Sequence, residues 1–266
     1  MNITLINTQK RNRINVKTIT LAFVLLFVGL FTITAQNTAL FEQGKQQYKS
    51  QNYQEAITNW KKILEDGKHS AEVYFNLGNA YYKLNKIGPA IYYYEKALHL
   101  NPSDKDIKTN LRFAKNARID VIEPLPETVF HKWYKSISGI LTYNGWALAS
   151  IIFVILFTLL FLLYYFTLSE GKKRLFFVTS LVSLAFFICS ITMAFLTFSE
   201  GKNNHPAIIF AESSQVKNEP NMGAETVFTL HEGTKVQILE TDDNWVLIQL
   251  ENGKEGWMPK TDLKAL

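Results

Sequence analysis

Residues able to do chemistry are few in this chain of 266 residues, and they are scattered. Ser-x-x-Lys occurs at Ser169–Lys172, Ser199–Lys202 and Ser214–Lys217, a spacing that in some acyl-transfer sites joins a nucleophile to its base. So short a pattern arises by chance. No Gly-x-x-x-x-Gly-Lys loop, His-Glu-x-x-His or Gly-x-Ser-x-Gly accompanies it. His69, His99, His131, His205 and His231 lack metal-ligand spacing, and Cys189 has no second thiol for a disulfide or a zinc site. These features predict a protein that is not an enzyme, with no catalytic residue, no cofactor and no metal. What remains is recognition chemistry. Lys45, Tyr48 and Lys49 recur 34 residues later as Asn79, Tyr82 and Lys83. Lysines offer charge-assisted bonds to a carboxylate, an asparagine offers amide bonds, and tyrosines offer ring contact, a set that suits an extended peptide. The plainer alternative is a solvated wall with its tyrosines packed on neighbours. Trp245 and Trp257 are the second candidate, either as a ligand-facing aromatic pair or as the filling of a small core.

The 34-residue offset extends well beyond these positions. Gly44 aligns with Gly78, Tyr48 with Tyr82, Ala56 with Ala90, Trp60 with Tyr94 and Ile63 with Ala97. Val73, Leu77, Ala80, Tyr81 and Leu84 make one helical stripe, and Ile91, Tyr94, Ala97 and Leu98 make another. The small residues Gly78 and Ala90 let two helices approach, and Pro89 suits a helix start. This pattern over about Asn37 to Pro102 resembles the tetratricopeptide repeat. The resemblance implies an all-α solenoid whose first helices line a concave groove, which places Lys45, Tyr48, Lys49, Asn79, Tyr82 and Lys83 on one wall. Tyr81 and Tyr94 are expected in the core, and Tyr92 and Tyr93 on the convex outside. A third stripe, Ile107, Leu111 and Ala114, predicts a closing helix capped by Ser103.

Three apolar runs follow a different logic. Thr18 to Thr34 comes after Lys10, Arg11, Arg13 and Lys17 and ends in Thr-Ala-Gln-Asn, which reads as an export signal over Met1–Ala35 or as an uncleaved anchor. Trp146–Leu168 and Leu175–Phe198 are each longer than the roughly 20 residues a membrane span needs, and neither holds an ionisable residue of the kind that marks proton relays. Between them, Ser169–Arg174 carries Lys172, Lys173 and Arg174, which predicts a cytoplasmic turn with both flanking modules on the other side, the periplasm of a bacterium. Ile119–Gly145 joins the repeats to the first span. Its Pro124 and Pro126 read as an extended spacer, and Trp133 and Tyr134 beside Lys132 and Lys135 as an interfacial anchor.

Beyond Lys202 the texture turns to two-residue alternation, with a strong hairpin turn at Asn252-Gly253. Gly233-Thr234-Lys235-Val236, Trp245-Val246 and Gly256-Trp257-Met258-Pro259 come in the order that bacterial SH3 domains use. The resemblance implies an all-β SH3-like barrel, with Asn203–Leu266 as its module. Glu219 stands where that family often has glycine. Charge divides the soluble parts. Gln36–Arg118 has 13 basic against 8 acidic residues, and Asn203–Leu266 has 5 against 10. The two are expected either to attract one another or to select partners of opposite sign. Export makes nucleic acid an unsuitable partner for the basic module.

The whole order is export signal, two repeats with a closing helix (Gln36–Arg118), proline-containing linker, membrane hairpin and SH3-like module. It resembles the BatE-like members of the Bacteroides aerotolerance (Bat) family, as does the stretch Asn110–Glu127. That resemblance implies an inner-membrane scaffold in a stress-related envelope complex. It also implies protein partners that include von Willebrand factor A domain membrane proteins. A second expectation is an envelope receptor whose SH3-like module binds peptidoglycan or its peptides.

Overall fold

The computed structural model describes residues 37–266. The predicted export segment therefore lies outside the described residues. Five helices open the described chain: α1 (37–49), α2 (Tyr53–Glu65), α3 (Ala71–Lys83), α4 (Ile87–Leu100) and α5 (Lys105–Asn116). The repeat register is visible in their crossings. A Cβ placed on Gly44 would lie 2.3 Å from the Trp60 ring, and one on Gly78 would lie 2.5 Å from the Tyr94 ring. The two glycines and the two rings are each 34 residues apart, so one close helix approach is built twice. Ala56 and Ala90 sit fully buried at the matching positions. Ala90→Leu is expected to cost about 1–3 kcal/mol by overpacking, read as a lower thermal midpoint of the intact chain in detergent.

Helix α5 is capped by Asp104, whose carboxylate accepts from the backbone N–H groups of Asp106 and Ile107, and not by Ser103 as the sequence implied. An aspartate adjoining the helix reaches the N2 and N3 donors directly and adds a favourable charge at the positive helix end. Tyr81 and Tyr94 are buried as expected. Tyr92 and Tyr93 are buried too, against the expectation of an outer face. Tyr93 stacks on Tyr81 with ring centroids 5.4 Å apart, and Tyr92 meets Phe210 edge-on at 5.5 Å. Phe210 belongs to the C-terminal module, so the convex side of α4 is covered by another part of the chain.

Residues 117–128 run without helix or strand to a short helix, α6 (Val129–Ser138), that buries none of its residues. Trp133 is exposed, whereas the Tyr134 hydroxyl donates to Glu200 Oε2 at 3.0 Å. Two long helices follow, α7 (Tyr143–Phe166) and α8 (Glu170–Asn203), both long and apolar enough to cross a membrane. Only 6% and 11% of their apolar windows are buried, unlike the core helix of a soluble fold. The break between them is only Thr167–Ser169, so Lys172, Lys173 and Arg174 ride on the start of α8 rather than in a loop. Small polar residues line the crossing. Ser150, Ser180, Ser183 and Ser190 are buried there, and Ser183 Oγ donates to the Phe153 carbonyl of the facing helix at 2.9 Å.

The C-terminal module is one antiparallel sheet: β1 (Pro206–Ile209), β2 (Ser213–Lys217), β3 (Thr226–His231), β4 (Lys235–Asp242), β5 (Trp245–Gln249), β6 (Glu255–Pro259) and β7 (Leu263–Ala265). Their order is β3-β2-β6-β5-β4-β1-β7. The expected barrel is not closed by hydrogen bonds. β1 pairs with β4 on one side and β7 on the other, which carries β7 to the edge opposite β3. Alternation along β5 sends Val246 and Ile248 inward to meet Ala207, Ile209, Val216, Val236 and Met258. The Asn252-Gly253 hairpin forms as expected, with Gly253 at φ +82°.

Candidate functional site

The element that positions everything else is a joint between the repeats and the sheet. Ile208 of β1 is fully buried within the repeat core, beside α4 residues such as Ile87 and Ile91. Two glycines allow this. A Cβ on Gly88 would stand 2.9 Å from the Ile209 carbonyl oxygen, and one on Gly233 would stand 3.0 Å from Ile91 Cδ1. Gly233 also has φ +85°, a conformation that L side chains rarely adopt. Lys86 gives α4 no side-chain cap. Glu232 supplies one from the other module, accepting from Gly88 N at 3.2 Å and setting a negative charge at the helix N-terminus.

Two carboxylates lock the joint. Glu95 of α4 lies between Lys115 of α5 at 2.7 Å and Lys235 of β4 at 2.9 Å. Asp120, just past α5, accepts from His231 N and Thr234 Oγ1, both at 2.7 Å, and pairs with His231 Nδ1 at 2.8 Å. Burial pushes the Glu95 carboxyl up, but the ammonium groups of Lys235 and Lys115 outweigh it and hold the group below the usual carboxylate range. For Asp120, burial again opposes and the bonds from His231 and Thr234 prevail. A folded pKa lowered in this way means stability that is present above the unfolded value and lost as pH falls through the folded one. The joint is therefore expected to be at full strength above about pH 4.5, the ordinary value for Glu95, and to weaken progressively on acidification below it. Protease nicking of residues 117–128 against pH reads this directly.

These contacts change two expectations. The proline-containing segment is not a free spacer. Asp120 is pinned, Ile122 packs on the sheet core, and Leu125 N donates to Glu251 O. Nor do the modules meet through their opposite net charges. The ion pair at the centre sets an acid of the basic module against a lysine of the acidic one.

None of the joint's contacts involves the six groove candidates, and the structure divides those six. Lys49 and Lys83 are exposed, and Tyr82 is 37% exposed. Asn79 lies inside a network in which its Oδ1 accepts from Tyr94 Oη at 2.7 Å and from Asn110 Nδ2 at 2.8 Å. With that oxygen engaged, the Asn79 amide has only N–H donors left to offer the groove. Lys45 pairs with Glu42 on its own helix at 2.9 Å. Tyr48 is half-buried, edge-on to Tyr53 at 5.2 Å and 6.1 Å from Trp60. The first repeat thus spends two candidates on packing and pairing, while the second presents Tyr82 and Lys83 openly. Asn110 was missed by sequence reasoning. The signal was there, since it aligns with Glu42 and Asn76 at the same 34-residue offset.

The tryptophans do not fill the sheet core. Trp245 stands opposite Pro259, and Leu247 opposite Trp257, on the face of β5–β6 turned away from Val246, Ile248 and Met258. Asp242 and Glu240 flank this face through their pairing with Trp245 and Leu247. The serine–lysine pair of this module has separate engagements: Ser214 Oγ donates to Asp262, and Lys217 Nζ donates to the Ala224 carbonyl.

Comparison with known families agrees with this architecture. The tetratricopeptide repeat model matches residues 71–104, and a further TPR repeat model matches residues 44–85. The bacterial SH3 domain model matches residues 213–264. No curated protein matches the chain. The chain carries tetratricopeptide repeats and a bacterial SH3 domain, joined through two helices able to span a membrane. Strand β1 lies before the SH3 match, and α5 after the first repeat match, so much of the joint is built outside the recognised modules.

Proposed function

We propose that the protein is a non-catalytic, membrane-anchored scaffold that captures partner proteins in its repeat groove. The observation that supports this most directly is the position of the sheet. It covers α4 and the end of α5 and leaves Lys49, Asn79, Tyr82 and Lys83 uncovered. These groups are donors or aromatic surface, which suits an acceptor-rich extended segment bearing carboxylates. In this reading α7 and α8 anchor the scaffold in a bacterial inner membrane and the docked modules face the periplasm. Resemblance to the BatE-like proteins supports a stress-related envelope complex with von Willebrand factor A domain partners. Lys49→Ala with Lys83→Ala is expected to reduce co-purification of the partner from mild detergent, with no change in thermal midpoint. Each contact removed is worth about 1.5–3 kcal/mol if dry and about 0–1 kcal/mol if exposed. Unchanged co-purification removes the groove from the account. A second reading rests on the outward row of Trp245, Leu247, Trp257 and Pro259 in a bacterial SH3 domain. That row supports binding of peptidoglycan peptides, and sedimentation with sacculi, lost in Trp257→Ala, tests it.

A further inference from the structure

Three lysines from three separate elements converge on the seam between the modules. Lys61 of α2 lies over the Tyr81 ring at 5.7 Å. Lys96 of α4 lies over Tyr74 at 5.6 Å and Tyr92 at 5.3 Å. Lys264 of β7 reaches across from the sheet to the same Tyr92 ring at 5.0 Å and to Phe210 at 5.9 Å. None of the three has a carboxylate partner among the described residues, although the nearby joint pairs both of its own lysines. Like charges repel, and among the described residues the aromatic faces are what the fold sets against that repulsion. The Lys264 ammonium is correspondingly held below its ordinary pKa, by burial first and by Lys61 and Lys96 second.

We propose that this cluster is a binding site for a phosphate-type oxyanion bridging the repeats and the sheet. A carboxylate offers two oxygens, whereas a tetrahedral oxyanion offers enough acceptors to meet ammonium groups arriving from three directions. Such a ligand relieves the mutual repulsion of the lysines. Because Lys264 is on one module and Lys61 and Lys96 are on the other, it also binds the docked form in preference to an undocked one, and so strengthens the joint by mass action. The site uses none of the groove lysines and does not depend on the scaffold reading.

Inorganic phosphate is the probe, added to the full chain in nanodiscs, with chloride at matched ionic strength as reference. Phosphate is expected to raise the thermal midpoint saturably, and Lys264→Gln or Lys96→Gln to weaken binding about fivefold or more, near the upper end for a partly exposed ion pair. Lys83→Gln, a groove lysine, should leave phosphate binding unchanged. Discs containing phosphatidylglycerol discriminate the source. If lipid headgroups fill the site, free phosphate binds only in discs lacking that lipid; if soluble phosphate does, it binds equally in both. A midpoint that follows ionic strength alone, or binding indifferent to Lys264→Gln, overturns the proposal.

Discussion

Gly88→Val is expected to release the sheet from the repeats while each module keeps its own fold. The new Cβ would stand 2.9 Å from the Ile209 backbone oxygen, and a backbone atom in a paired strand cannot turn aside as a side chain would. Relief requires β1 to move off α4, which withdraws Ile208 from the repeat core and uncovers Tyr92. Removing a fully buried isoleucine from a core costs about 2–5 kcal/mol, and the Glu232 cap on Gly88 N is lost with it. Gly88 precedes Pro89, so valine also strains the first turn of α4, but the turns from Ala90 onward keep their own packing and should persist by circular dichroism. Nicking of residues 117–128 should rise by at least tenfold. Unchanged nicking would mean that the approach of β1 to α4 is looser than described.

The second large effect comes from Glu95→Ala. It leaves the Lys115 and Lys235 ammonium groups facing one another with their shared partner gone. Breaking a fully buried ion pair by removing one member costs about 3–5 kcal/mol, and the loss here should fall toward the lower end because the two lysines left unpaired are 33% and 29% exposed. The chemical midpoint of the intact chain should drop accordingly. Glu95→Gln combined with Lys235→Met should recover part of the loss, because one of the two ammonium groups that Glu95 paired is removed with it and only Lys115 stays unpaired. If the single and double variants are equally destabilised, the ion triad is not what holds the seam.

Much of this architecture was legible in the sequence, for identifiable reasons. Gly44 with Trp60 and Gly78 with Tyr94 announce the repeat, because one steric requirement is written twice at one offset. The two long apolar helices announce themselves by length, and the sheet by alternation and by its Asn252-Gly253 turn. The joint was not legible. Gly88 reads as part of a helix start, Ile208 as an ordinary strand residue, and Glu95 as a solvated helix charge, because each acquires its partner from more than 100 residues away. Tyr92 was expected on an open convex face for the same reason, since helical spacing says which face a residue occupies but not what covers it. The exposure of the candidate groove residues was legible only in part. Position equivalence joins Tyr48 to Tyr82, yet only Tyr82 is open, because Tyr53 and Trp60 engage Tyr48.

The central claim is that the modules on either side of the two long apolar helices dock into one head, which the proposed function places on a single membrane face. Lys96→Cys and Lys264→Cys test it most directly, in a Cys189→Ser background that removes the one native thiol. Both ammonium groups lie close to the Tyr92 ring, at 5.3 Å and 5.0 Å. A short, membrane-impermeant bismaleimide added to one side of sealed membranes should link the two cysteines within the chain, and Gly88→Val should abolish the link. Single cysteines that label only from opposite sides of the membrane, or that both label from one side yet never link, would contradict it.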